Sequence, residues 1–165
     1  MSAYEVKKDG FLISTDKNLL DIEVIHSYLS KESYWAMNIP REVVERSIMH
    51  SLCFGVYHEN KQVGFARLIT DQATFAYLAD VFILEEYRGK GLSKWLIHSI
   101  HAHPELQELR RWVLGTKDAH GLYEQFGWVR FGEEQLQRFM QKQDRVNYLA
   151  APSKSPPSGE TLHTL

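Results

Sequence analysis

The run Tyr77–Ser99, YLADVFILEEYRGKGLSKWLIHS, restricts the fold of this 165-residue chain more than any other stretch. Tyr77 to Leu84 is apolar and β-forming, interrupted by Asp80 alone, which suits a strand covered on both faces. Glu85, Glu86 and Tyr87 leave the strand, and Arg88-Gly89-Lys90-Gly91 makes a tight basic turn. Leu92, Trp95, Leu96 and Ser99 or Ile100 then recur at helical spacing, so a helix is predicted to begin near Gly91. The first turn of a helix carries free backbone N–H groups and the positive end of the dipole. Gly89 and Gly91 let a ligand approach that backbone, while Arg88 and Lys90 add formal charge. The combination predicts a pyrophosphate cradle. Neither GxxxxGK[ST] nor GxGxxG is present here, which sets aside the P-loop and the dinucleotide fingerprint.

A second segment follows in a fixed order. Arg111–Gly115 (RWVLG) reads as a strand, and Thr116-Lys117-Asp118-Ala119-His120-Gly121-Leu122-Tyr123-Glu124-Gln125-Phe126-Gly127-Trp128 comes after it. Together the two segments resemble the GNAT superfamily, the Gcn5-related N-acetyltransferases. Arg88, Gly91 and Ser93 fall on the specified places of that family's (Gln/Arg)-x-x-Gly-x-(Gly/Ala) loop, with Ser93 departing from Gly/Ala. Ala119, Tyr123 and Gly127 fall on the later Asn-x-x-Ala-x-x-x-Tyr-x-x-x-Gly-Phe pattern, with Thr116 in place of Asn and Trp128 in place of Phe. The resemblance covers roughly residues 12 to 143.

The resemblance implies an α/β (α+β) fold: a mixed, centrally splayed β-sheet with helices on both faces. It implies acetyl-CoA as acyl donor, its arm lying in the gap between two splayed strands. Val81, Phe82 and Ile83 are then expected to pair with the pantetheine arm and aim an N–H at the thioester carbonyl. Arg88, Gly89, Lys90, Gly91, Leu92 and Ser93, with Thr116 and Ala119, complete the expected cofactor site. Tyr123 is the expected general acid, because a phenol can protonate a departing thiolate.

Length and composition fit this reading. The length is that of one domain able to bury a core, expected over residues 1–149. Residues 150–165, rich in Pro, Ser and Gly, read as a disordered or loosely docked tail. A net charge of -2 without a basic run argues against nucleic acid as a main partner. Apolar runs are too short to span a bilayer, and the polar MSAYEVKKDG start is not expected to be a signal peptide; a cytoplasmic location is expected. The single cysteine, Cys53, excludes an intramolecular disulfide and sits in the apolar run Leu52-Cys53-Phe54, where a buried core thiol is expected.

In chain order, Phe11 to Ser14 reads as a strand. Thr15-Asp16 offers a helix N-cap before an apolar stripe running from Leu19 through Tyr28 to Leu29. Tyr34 and Trp35 lie in the following loop, and Pro40 starts a second helix over residues 41 to 50. With Tyr28 they are candidates for an acceptor pocket, which the resemblance places against this helix-loop-helix; packing of the first helix onto the sheet is the competing reading. Residues 52–58 and 62–70, joined by a tight turn, and the strand after the turn near Asp71 make an antiparallel meander. The strands before and after the glycine-loop helix are expected to be parallel neighbours. Beyond them a helix over 119–126 and strands over 128–131 and 138–142 are expected. His98, His101 and His103 have no Cys or acidic partner at metal-ligand spacing and read as a solvated helix face, so no metal is expected.

The sequence offers Asp80 as the base that takes the amine's proton, directly or through water, or else as a buried structural acceptor. His120, one turn before Tyr123, is offered as a residue that orients the phenol or shuttles a proton, or else as a helix-surface histidine. With one early cysteine, direct attack fits better than a ping-pong route. The expected activity is acetyl-CoA-dependent N-acetylation of a small-molecule primary amine. Acetylation of a protein or peptide amine, and a non-catalytic acyl-CoA-binding regulatory module, are the alternatives. Many members of the superfamily are homodimers, and nothing in the sequence selects an interface.

Overall fold

The computed structural model describes residues 3–143 and Tyr148. The tail expected over 150–165 lies outside them. Six strands form one sheet in sequence order: β1 (Glu5–Lys8), β2 (Phe11–Ser14), β3 (Leu52–His58), β4 (Lys61–Thr70), β5 (Phe75–Ile83) and β6 (Arg111–Leu114). Neighbours are antiparallel except β5 and β6, which are parallel as the helical crossover between them requires. The expected mixed sheet is therefore present. Strand β1 was not foreseen. Its polar residues suit an edge, and Asp9-Gly10, both at positive φ, form the hairpin turn that joins it to β2. Glu59 and Asn60 do the same between β3 and β4.

Helices cover both faces. On one, α3 (Leu92–His101) buries Leu92, Leu96, Ile97 and Ile100 against Phe54, Val56, Ala66 and Leu78. Each of these aliphatic side chains contributes about 2 kcal/mol by leaving water. On the other, α1 (Ile22–Lys31) and α2 (Arg41–Met49) pack Ile25, Tyr28, Leu29, Val44 and Ile48 on Cys53, Phe65 and Phe82. Helix α1 begins later than Thr15-Asp16 suggested. Asp16 caps only a short turn over Lys17–Leu19, while Asp21 accepts from Glu23 N (3.0 Å) and Val24 N (3.2 Å) and is the true cap.

The two strands expected over 128–131 and 138–142 are absent. Residues 128–131 form no regular element, with Val129 87% exposed. Glu133–Arg138 is instead a short helix, α5, and follows α4 (His120–Glu124). Glu133 and Glu134 at its start, Arg138 at its end and a Glu134–Arg138 pair one turn apart all favour helix over strand. The histidines also depart from expectation. His98 is exposed, but His103 is buried between Tyr4 and Phe54 (ring centroids 4.9 and 5.7 Å), because the chain turns inward at Pro104. His101 is half-buried among Trp112, Phe126 and Trp128, and takes a hydrogen bond from Trp128 Nε1 (3.1 Å). Among the described residues there is no cluster of metal-ligating side chains and no helix long and apolar enough to cross a membrane.

Candidate active site

The sheet opens where β6 ends. Strand β6 pairs with β5 only over Phe75–Leu78, so β5 runs on through Ala79–Ile83 with no β6 partner. At that place β5 is also irregular against β4. The register passes from Leu68–Leu78 and Arg67–Ala79 to Phe65–Phe82, leaving both Asp80 and Val81 against Ala66. This is a β-bulge, and Asp80 adopts φ +54° within it. The inserted residue reverses the facing of the strand: Ala76 and Leu78 point to the α3 side, whereas Phe82 points to α1 and α2. Peptide groups freed from the ladder thus lie at the mouth of the gap.

A cleft of about 1130 Å³ occupies this opening. One wall is β5 from Tyr77 to Ile83, and the other is Gly115–Ala119 with Leu122 and Tyr123 of α4. Arg88 and Ser93 close the end nearest α3, and Tyr28, Tyr34 and Trp35 line the side formed by α1 and its following loop. Tyr148 also reaches the cleft. The structure therefore brings together Asp80, Val81, Phe82, Ile83, Arg88, Ser93, Thr116, Ala119, Tyr123, Tyr28, Tyr34 and Trp35. Gly89, Lys90, Gly91 and Leu92 do not line it; they form the adjoining turn, where the Leu92 side chain belongs to the core.

At this end, Gly89 and Gly91 sit at φ +75° and +76°, and a Cβ on either would touch nothing within 4 Å. Glycine is required there by backbone conformation, not by crowding. Gly91 is the N-cap of α3 and supplies no side-chain cap, so the first N–H groups of the helix remain available to an anion. Arg88 is less free than its position in the loop suggests. Its Nε donates to Ile83 O and its Nη2 to Tyr28 OH, both at 3.1 Å, and the Tyr28 ring stacks on Phe82 at 3.9 Å. Arg88 ties the turn to the end of β5.

Tyr123 is 8% exposed, and burial, followed by the neighbouring Tyr34, pushes its phenol up to about 12. No group among the described residues bonds its hydroxyl, yet that oxygen is not sealed from solvent. It is a protonated phenol facing open space. Asp80 differs: Oδ2 accepts from Arg67 Nε at 2.7 Å and Oδ1 from Trp35 Nε1 at 3.0 Å, with both members of the ion pair largely buried. Arg67 Nη1 reaches Ser51 Oγ at 3.2 Å. The sequence assigned a role to neither Arg67 nor Lys117, which also line the cleft. The Lys117 N–H donates to Tyr34 OH at 2.9 Å, so Tyr34 and Trp35 together bridge the two arms of the opening. Cys53 is fully buried and its thiol is pushed up to about 11 by that burial, so it is no nucleophile.

Comparisons with known proteins agree with this geometry. The profile described as an acetyltransferase (GNAT) domain matches residues 49–130, which span β3 to α4. Putative acetyltransferase FG08082 of Gibberella zeae is 33% identical over 136 residues, covering 70% of this chain and 77% of its own. A crystal structure of a GNAT-family protein from Xanthomonas campestris pv. campestris is 48% identical, with a TM-score of 0.79 over 84% of this chain and 96% of that one. A GNAT-family acetyltransferase from Elizabethkingia anophelis, solved with acetyl-CoA bound, shares the fold at 15% identity, with a TM-score of 0.55 over 72% of this chain and 76% of that one. With its sheet splayed between β5 and β6 and both family patterns flanking the opening, the chain belongs to the GNAT acetyltransferase family.

Proposed function

We propose that the protein is an acetyl-CoA-dependent N-acetyltransferase that acetylates the primary amine of a small molecule by direct attack, and that it works in the cytoplasm. The observation that carries this reading is the cleft between β5 and β6, with an uncapped helix N-terminus at one end and a protonated phenol on its wall. Acetyl-CoA is a substrate of the reaction, and the residues present fit it. The turn from Arg88 to Ser93 offers backbone N–H groups and the charge of Lys90 to the pyrophosphate. The unpaired length of β5 over Val81–Ile83 offers its edge to the extended arm, and an N–H at the bulge to the carbonyl oxygen.

The amine nitrogen attacks the thioester carbon, forming the N–C bond as the carbonyl pair moves onto oxygen. A pre-aimed N–H holds that oxygen, an effect worth about 3 kcal/mol at comparable sites. Collapse then breaks the C–S bond, and the Tyr123 hydroxyl donates toward the leaving sulfur. Asp80 faces the cleft from within the bulge. With each oxygen already accepting a hydrogen bond, it takes the amine's proton through water on a remaining lone pair. Tyr28, Tyr34 and Trp35 supply aromatic walls for the acceptor, and Cys53 is too deeply buried to carry an acyl group.

The test is thermal unfolding with acetyl-CoA, CoA and ATP in parallel, followed by turnover with a panel of small amines and peptides. Ligand at about 100 times its dissociation constant adds roughly 2.7 kcal/mol, a shift of several degrees in a domain of this size. A shift with both CoA species and none with ATP is expected. No shift with either removes the cradle and the reading with it.

A further inference from the structure

The bulge at Asp80–Val81 carries an unexplained conformation. A residue with a side chain at φ +54° inside a central strand is disfavoured, and such a conformation persists only where its surroundings fix it. Three side chains converge there. Arg67 on β4, opposite Ala79, ion-pairs with Asp80 Oδ2 at 2.7 Å; Trp35, from the loop after α1, donates to Oδ1 at 3.0 Å; Ser51, between α2 and β3, accepts from Arg67 at 3.2 Å. The ion-paired side chains are 15% and 11% exposed, so water competes little for the pairing.

We propose that Arg67 and Trp35 are positioning residues for acetyl transfer: through the Asp80 carboxylate they hold the β5 bulge in the orientation that aims its free N–H at the acyl carbonyl. The inference rests on the acetyltransferase reading for the identity of the carbonyl, but not for the mechanical claim. The geometry explains why both partners are needed. Arg67 grips Asp80 from the sheet and Trp35 from the acceptor side, so the carboxylate is fixed in two directions and the peptide beyond it cannot rotate back into the ladder. Trp35 also belongs to the aromatic wall of the cleft, in edge contact with Tyr34 at 5.0 Å. The packing of that wall and the aim of the bulge are therefore mechanically joined.

The experiment compares Trp35→Phe, Arg67→Met and Arg67→Lys with the native protein in three measurements. Hydrogen exchange reads the amides of residues 79–82 against the rest of β4 and β5. Calorimetry reads CoA affinity. Steady-state kinetics, with an amine found in the screen, separates kcat from KM for acetyl-CoA. The expected result is exchange at 79–82 accelerated at least tenfold in Trp35→Phe and Arg67→Met with the flanking strands unchanged. CoA affinity stays within twofold, and kcat falls about tenfold at near-constant KM, with Arg67→Lys recovering part of the loss. Unchanged exchange at 79–82, or uniform acceleration over the whole sheet, overturns the proposal. So does a kcat within twofold of native. Should Arg67→Met not fold, Trp35→Phe decides alone, since it deletes one N–H donor from a partly exposed ring. If CoA does not bind the native protein, the acetyltransferase reading fails while the exchange result still judges the bulge.

Discussion

Tyr123→Phe isolates the chemistry from the architecture more cleanly than any other single change. The substitution removes one oxygen atom. That oxygen has no hydrogen-bond partner among the described residues, so no buried donor or acceptor is orphaned by its loss. The ring keeps its edge contact with Trp128 at a centroid distance of 5.9 Å and its place in the core. Folding stability should therefore move by less than about 0.5 kcal/mol, the ordinary range for a change that touches none of the destabilising mechanisms. CoA affinity should not move either, because the cradle lies at the other end of the cleft.

Turnover is the quantity that should change. A positioned general acid contributes about 100- to 10,000-fold. Here the lower end applies. The phenol is pushed up to about 12, and an ordinary thiol lies near 8.5, so complete proton transfer to the thiolate is uphill by about 3.5 pH units. What the hydroxyl supplies is donation to the sulfur as the C–S bond stretches. A loss of about 100-fold in kcat corresponds to about 2.7 kcal/mol. Because the phenol stays protonated across the working range, the Phe variant should give a pH profile of the same shape, lowered uniformly. The assay is CoA release under saturating acetyl-CoA, with calorimetry for CoA binding and denaturant unfolding as controls. A kcat within threefold of native, at unchanged affinity and stability, would refute the role given to Tyr123.

Gly91→Ala should cost about 1–2 kcal/mol in denaturant unfolding, since φ +76° is strained for any residue with a Cβ and no clash adds to it. Gly91→Glu adds bulk and a negative charge at the helix start and should abolish CoA binding; an unchanged affinity there sinks the cradle. Cys53→Ala, in a fully buried site, should lose about 1 kcal/mol of stability and leave kcat untouched, whereas loss of turnover in the folded variant would reopen a covalent route. His101 and His103 are both held below the ordinary histidine value of 6.5, first by burial, so the unfolded chain binds more protons as pH falls past that value. Their contribution is complete above about pH 6.5 and is lost as pH drops through the lowered folded values; denaturant midpoints at about pH 7.5 and about pH 5.5 should differ less in a His101→Gln, His103→Gln double variant than in the native protein.

The features legible in the sequence were those set by local pattern. β3, α2 and α3 carry apolar periods of their own, and the glycine turn and the Tyr123 segment are contiguous, so each could be read without knowing what lies opposite. The failures are of another kind. β1 is polar because it is an edge, and its Asp9-Gly10 turn was the sole local sign of it. The aromatic residues from Trp128 to Phe131 looked like a strand because aromatics favour strands, but Trp128 serves the cage around His101. Asp80 stood out as the interruption of an apolar strand, and Arg67 interrupts the neighbouring strand in the same way. Two opposite charges set into adjacent buried strands invite pairing, since neither can be left alone there. What the sequence withholds is the register. Continued from Gly64–Ile83 and Phe65–Phe82, the ladder would set Arg67 opposite Asp80; continued from Leu68–Leu78, it sets Arg67 opposite Ala79. The one-residue difference between those two registers is the bulge itself. It depends on how β4, β5 and the Trp35 loop meet, so it becomes visible only when the three are folded together.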